Sequence, residues 1–205
     1  ASFLEISETI RSMFSETELA KSLIYGKEFF SANTESGRCN SCEGTGLIGD
    51  AVCFSCEGSK LNFLSSLITI DEINIYEYLS LTVSELNKIV LFKVIGDSLE
   101  LLIQLGLGHL TLARETSSLS GGEAQRLKLA KYLSSSIGAI NSIEKSALLI
   151  LDEPMRGLST ADSCYIFDYL ISIRDKNNTV IVIEHNSDVI FSCDYLIVLG
   201  PSSGA

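Results

Sequence analysis

The chain has 205 residues, 46% of them hydrophobic, and a formal net charge of −11. That is ample core for one large domain or two small ones, and it argues against a broadly basic surface that coats nucleic acid. No apolar run approaches the roughly 18 residues needed to cross a bilayer, so no membrane partner is expected.

The opening Ala1-Ser2-Phe3-Leu4-Glu5 has no basic stretch and no cleavage site, so no signal peptide is expected; its missing initiator Met is what a fragment would show. Six cysteines without an export signal point to a reducing, cytoplasmic setting.

In chain order, Ile6, Ile10, Met13 and Phe14 share one face of residues 4–14 and predict an amphipathic helix. From Ser31 to Gly49 the pattern collapses into Ser, Asn, Gly and Cys, a loop held by something other than a core. Leu61–Ile75 is apolar and β-branched and predicts a short strand pair. Thr82–Leu91 and Asp97–Leu105 are predicted helices, the second ending at Gly106 and Gly108.

Ser120-Gly121-Gly122-Glu123 is a capping box that starts the next helix, with Ala124, Leu127, Ala130 and Leu133 at helical spacing. A strand at 148–152, a helix at 161–175 with Ile166, Leu170 and Ile173 on one face, and a strand at 179–183 follow. Strands separated by a helix imply parallel pairing and an open α/β sheet. Tyr195–Leu199 predicts another strand. No internal repeat and no low-complexity tract is evident. Cys164 and Cys193, each alone, are expected as small buried hydrophobes.

Leu148–Leu151 reads as a buried strand that ends in two acids, where ligands bind in parallel sheets. Asp152 is placed to hold Mg²⁺ and Glu153 to activate the water that attacks a γ-phosphate. Asp-Glu-Pro alone would also end an ordinary strand. Ser120, Gly121 and Gly122 open a helix, where free amides and the dipole favour phosphate. Glu123 and Gln125 after the double glycine exceed what a cap requires. His185 follows the apolar strand Val180–Ile183 and can donate to a γ-phosphate or hold Glu153. His109 has no such context. No Gly-x-x-x-x-Gly-Lys-[Ser/Thr] occurs, so the loop that cradles nucleotide phosphates is missing.

Cys39-x-x-Cys42 and Cys53-x-x-Cys56, ten residues apart, present four thiolates to a closed structural Zn²⁺, with a redox dithiol as the alternative. Each pair is followed by Glu-Gly, which lets the chain turn back around the metal.

Together these motifs resemble the C-terminal half of the UvrA family of excinuclease ABC proteins, the damage sensors of bacterial nucleotide excision repair. The likeness is carried by Gly37-Arg38-Cys39-x-x-Cys42-Glu-Gly-x-Gly46, Leu105–Gly108, Leu119-Ser-Gly-Gly-Glu-Ala-Gln-Arg126, Ile150-Leu-Asp-Glu-Pro154 and Val180-Ile-Val-Ile-Glu-His-Asn186, and it ends at Leu199-Gly200-Pro201.

The resemblance implies an α/β fold: a partial ABC-type P-loop ATPase core, its Walker B and H-loop half, with a largely helical signature domain that carries a small zinc module. The implied domains are 1–36 for the helical start of the signature domain and 37–62 for the zinc module. The rest of the signature domain, with its Leu-Ser-Gly-Gly motif, takes 63–146, and the Walker B half takes 147–205.

It also implies ATP and Mg²⁺ at Ser120, Gly121, Gly122, Glu123, Gln125, Asp152 and Asp162, the last at the position of the D-loop acid, with Glu153 and His185 catalytic. The implied partners are a second ATPase half or protomer, double-stranded DNA and the other excision-repair proteins. The insert between the Cys pairs, Glu43 through Val52, has no basic residue and is shorter than the family's. It leaves open a UvrA-like paralogue in antibiotic self-resistance. A zinc-stabilised interaction module without turnover is a third reading, and an ABC transporter component fits least.

Overall fold

The computed structural model describes residues 6–89, 95–114, 118–134, 146–185 and 187–200. The first two residues of the predicted 4–14 helix, the last two of Thr82–Leu91, and Asn186 and Pro201 lie outside them. The chain divides into two compact units. One holds residues to Ile103 together with Leu107–Leu119; the other holds Gln104–Gly106 and the chain from Ser120.

The first unit opens with α1 (Ile6–Ser15), whose Ile6, Ile10 and Phe14 are buried. Phe14 meets the rings of Phe30 and Tyr78, each at 5.6 Å between centroids. The short α2 (Glu18–Ser22) is capped by Thr17. Beyond a 3₁₀ turn at Lys27–Phe30, most of the Ser31–Gly49 stretch, up to Gly46, is turns, as its composition predicts. It leads into a hairpin, β1 (Leu47–Ile48) and β2 (Ala51–Val52).

The predicted strand pair is real but shorter than Leu61–Ile75: Phe63–Leu67 is a 3₁₀ turn, and only β3 (Thr69–Ile70) and β4 (Ile73–Asn74) pair. Capping boxes at Asn74/Glu77 and Thr82/Glu85 start α3 (Ile75–Ser80) and α4 (Val83–Leu86). The helix α5 (Gly96–Gln104) ends as expected at Gly106, whose φ of +70° lets the Leu107 amide reach back to the Leu102 carbonyl at 2.8 Å.

The second unit holds α6 (Gly121–Ser134), β5 (Leu148–Asp152), α7 (Thr160–Asp175), β6 (Thr179–Ile183) and α8 (Ser187–Ser192). β5 and β6 pair in parallel, with Leu148 opposite Thr179 and Asp152 opposite Ile183. Ser159 caps α7, and Ile166, Leu170 and Ile173 are buried as the periodicity requires.

Three expectations are corrected here. β5 is not buried on both faces: Leu149, Leu151, Val180 and Val182 are half-buried, while Leu148 and Ile150 are each 60% exposed, because among the described residues one face of the two-stranded sheet has no cover. Tyr195–Leu199 forms no strand and is exposed, since no neighbouring strand among the described residues offers it a ladder. Cys164 and Cys193 are both exposed. Cys164 lies on the solvent side of α7, one position past the buried Ser163, and Cys193 follows α8 in the uncovered terminal stretch. Among the described residues no helix is long and apolar enough to cross a membrane.

Candidate functional site

At the end of β5 the chain passes from Asp152 into Glu153, whose φ of 45° is left-handed. Such strain costs a non-glycine residue of order 1–3 kcal/mol and persists only where its surroundings hold it. Here the Glu153 amide donates to the Ile183 carbonyl at the end of β6 (2.9 Å), and the Glu153 carbonyl accepts from the Arg156 amide (3.1 Å). The side chain is held as well. Its Oε1 lies 3.3 Å from Nε2 of His185, and its Oε2 accepts from the Arg156 guanidinium at 3.0 Å. The parallel register thus brings Glu153 and His185 together, as their places after two strand ends suggested.

Glu184 escaped the sequence reading. Its Oε1 accepts from the Met155 amide (2.9 Å) and its Oε2 from the amide of His185 (3.1 Å). An acid that breaks an apolar run just before a site histidine was the signal for it.

At the start of α6 the predicted capping box is present. The Ser120 amide donates to Glu123 Oε2 at 2.8 Å, and the Glu123 amide donates to the Ser120 hydroxyl at 3.2 Å. A side chain at Gly121 would meet open space, whereas one at Gly122 would come within 2.5 Å of an Asp162 oxygen. Gly122 is therefore required by the close approach of α7, and Gly121 leaves its turn accessible. Gln125, Lys128 and Tyr132 line one cavity of about 370 Å³ with Asp152, Glu153 and Pro154. The Ser120–Gly122 turn is not part of its wall.

The buried face of α6 is Glu123, Arg126, Ala130 and Leu133, while Ala124 is exposed. The face is turned because Arg126, 5% exposed, has a half-buried partner: its Nη2 lies 2.9 Å from Asp162 Oδ1, and its guanidinium sits 5.1 Å over the Tyr165 ring. The other oxygen of Asp162 accepts from the Ser159 hydroxyl at 2.8 Å, so both are engaged by protein groups. Replacing Arg126 by Met should destabilise this unit by about 1–3 kcal/mol, because it takes a charge-assisted hydrogen bond from the half-buried Asp162 carboxylate, which keeps the Ser159 hydroxyl. Urea unfolding followed by far-UV circular dichroism reads this, and an unchanged midpoint would show that the pair contributes nothing.

The cysteine pairs form the second feature. Cys39, Cys42, Cys53 and Cys56 are all buried, with their Sγ atoms within 4.8 Å of one another. Cys39 and Cys53 are 3.9 Å apart, Cys42 and Cys56 3.7 Å. Four sulfurs at about 2.3 Å from a tetrahedral Zn²⁺ stand about 3.8 Å from each other, so the donor set fits that ion.

A 14-residue quasi-repeat builds the cluster and corrects the expectation of none: Cys-Asn-Ser-Cys-Glu-Gly-Thr-Gly at 39–46 matches Cys-Phe-Ser-Cys-Glu-Gly-Ser-Lys at 53–60. In both copies the Glu and Gly after the second Cys take positive φ: 53° and 83° at Glu43 and Gly44, 49° and 85° at Glu57 and Gly58. The Ser41 and Ser55 hydroxyls join the copies at 2.8 Å.

Burial disfavours the thiolate at Cys42, but the Gly46 and Gly44 amides and the Cys56 thiol donate to it and bring its pKa down to about 6. Cys56 is pushed up to about 11, chiefly by burial. Two thiols this close cannot both ionise without a cation between them.

No family model matches the chain. Along its whole length the chain is similar to UvrABC system protein A of Helicobacter pylori strain J99, at 37% identity over 214 residues. It is likewise similar to UvrABC system protein A of Streptococcus pyogenes serotype M3, at 38% over 216 residues. It spans 22% of the length of each of these curated relatives. Among solved structures, UvrA2 from Deinococcus radiodurans is similar at a TM-score of 0.71 and 32% identity, over 93% of this chain and 24% of that one.

Proposed function

The chain belongs, over its whole length, with the UvrA-like ABC ATPases, and on that premise we propose that it supplies the signature, zinc and Walker B portion of an ATP-hydrolysing DNA-repair protein. The observation that carries this is the pairing of Glu153 with His185 at 3.3 Å, at the ends of two parallel strands. The same unit also holds a capped Ser-Gly-Gly turn.

In this reading Glu153 accepts a proton from the attacking water. Water oxygen bonds to the γ-phosphorus, the bond from that phosphorus to the bridging oxygen breaks, and ADP leaves with the electron pair. His185, with its Nε2 on the Glu153 carboxylate, fixes Glu153 in place. Asp152, exposed at the strand end, would hold Mg²⁺, which supplies charge neutralisation on the phosphates.

Ser120–Gly122 acts on a nucleotide held by a second ATPase half or protomer, with Glu123 fixing the turn and Gln125 beside the Asp152 and Glu153 carboxylates. The four cysteines hold a structural Zn²⁺. The domain limits 1–36, 37–62, 63–146 and 147–205 belong to the same proposal, as do double-stranded DNA and the other excision-repair proteins as partners and the cytoplasm as the place of work.

The short β1–β2 hairpin, which carries Asp50 and no basic residue, favours a second reading: a UvrA-like paralogue whose ATPase serves resistance rather than repair.

Because no phosphate-cradling loop is present, the 205-residue chain alone should show no measurable ATP turnover. Turnover should appear only when the phosphate-binding portion of the ATPase is supplied. A phosphate-release assay on the purified chain is the test, and robust turnover that Glu153→Gln abolishes would overturn the half-site reading.

A further inference from the structure

We propose that Glu184 is a positioning residue for Glu153, fastening the turn after β5 to the end of β6. The inference rests on the reading of Glu153 as the base. The two oxygens of Glu184 serve two backbone amides 30 residues apart in the chain, Met155 at 2.9 Å and His185 at 3.1 Å. Those amides belong to the segments that carry the two catalytic side chains. Met155 is buried, so its amide has no water to replace a lost acceptor.

The geometry explains why an acid stands there. Glu153 occupies a left-handed backbone position that relaxes unless the residues on either side are tied down. On the N-terminal side the tie is its own amide on the Ile183 carbonyl. On the C-terminal side, past Pro154, the Glu184 carboxylate holds the Met155 amide. A carboxylate, accepting on both oxygens and donating on neither, suits two converging N–H groups. Cutting this tie lets Glu153 swing away from the attacking water, and misplacement by about an ångström costs roughly 100-fold in rate. Nucleotide binding, carried by the phosphate-binding portion, is untouched.

The test compares Glu184→Ala, Glu184→Gln, Glu153→Gln and the double variant Glu153→Gln/Glu184→Ala in the complete ATPase. Single-turnover hydrolysis and the affinity for a non-hydrolysable ATP analogue are measured for each. Glu184→Ala should slow hydrolysis roughly 10–100-fold with affinity changed less than about twofold. Glu184→Gln keeps an acceptor for the Met155 amide and should recover most of the rate. The double variant should be no slower than Glu153→Gln alone, because a residue that acts through Glu153 has nothing left to position.

Wild-type hydrolysis in Glu184→Ala overturns the proposal. So does a double variant that loses both factors in full, or a loss of rate and affinity together that Glu184→Gln fails to recover. If Glu153→Gln itself hydrolyses ATP normally, the assignment of Glu153 as base has failed instead.

Discussion

Replacing Glu153 by Gln in the complete ATPase should leave ATP binding within about twofold and slow hydrolysis by about 10²–10⁴-fold, the range lost with a general base. The amide has the shape of the carboxylate. Its oxygen can still accept from Arg156, a surface contact of little energetic weight, and the strained turn is kept by the Ile183 and Glu184 ties. What the variant lacks is the capacity to take a proton from water. His185 cannot substitute, because its Nε2 faces Glu153 rather than a free position beside the phosphate. Equilibrium nucleotide binding and single-turnover hydrolysis separate the two effects. Undiminished hydrolysis would sink the assignment, and a matching loss of affinity would mean that Glu153 binds nucleotide rather than activating water.

Much of the second unit was legible because its signals are local. The apolar runs 148–151 and 180–183 and the intervening helical stripe dictate a parallel strand–helix–strand, and it is present with the expected bounds to within a residue. The capping box at Ser120 needed only four residues to be read. The same Ser/Thr/Asn-x-x-Glu signal stands at Thr82, where the predicted helix does start, and at Asn74, where it starts a helix that apolar periodicity alone missed.

The cysteine cluster was legible from spacing and from the Glu-Gly after each pair, whereas the left-handed backbone of both turns and the Ser41–Ser55 link were not. What stayed illegible depends on partners distant in sequence. The buried face of α6 cannot be read from a stripe of Ala and Leu when a buried Arg126, paired to Asp162, turns it. Glu184 looks like an acid in a strand exit until Met155 is seen 29 residues away. Tyr195–Leu199 has the composition of a strand, but a ladder needs a neighbour. The same lack of covering structure leaves Leu148 and Ile150 exposed.

Removing the metal from the cysteine module should unfold residues 37–62 while β5, α7 and β6 keep their structure. The purified chain, prepared under reducing conditions, should carry about one equivalent of Zn²⁺, released by thiol modification. The size of the effect follows from how little else holds the segment. Apart from Leu61, its buried apolar side chains are the four cysteines themselves, and those of the hairpin between them, Leu47, Ile48 and Val52, are exposed.

Backbone ties do exist, Cys39 amide to Lys60 carbonyl and Asn62 amide to Gly37 carbonyl, at 2.9 and 2.8 Å. Hydrogen bonds of that kind are worth only about 1 kcal/mol each, against about 1–2 kcal/mol of backbone entropy for each residue ordered. A structural Zn²⁺ supplies about 10–16 kcal/mol in comparable small modules, so folding of the segment and binding of the ion are one equilibrium. Cys42→Ser removes a ligand and the acceptor of the Gly46 amide at once. Metal analysis together with limited proteolysis checks the expectation: cleavage confined to 37–62 in the zinc-free or Cys42→Ser protein. A metal-free, fully reduced chain that resists protease there would show that the cysteines are a packed apolar cluster and not a zinc site.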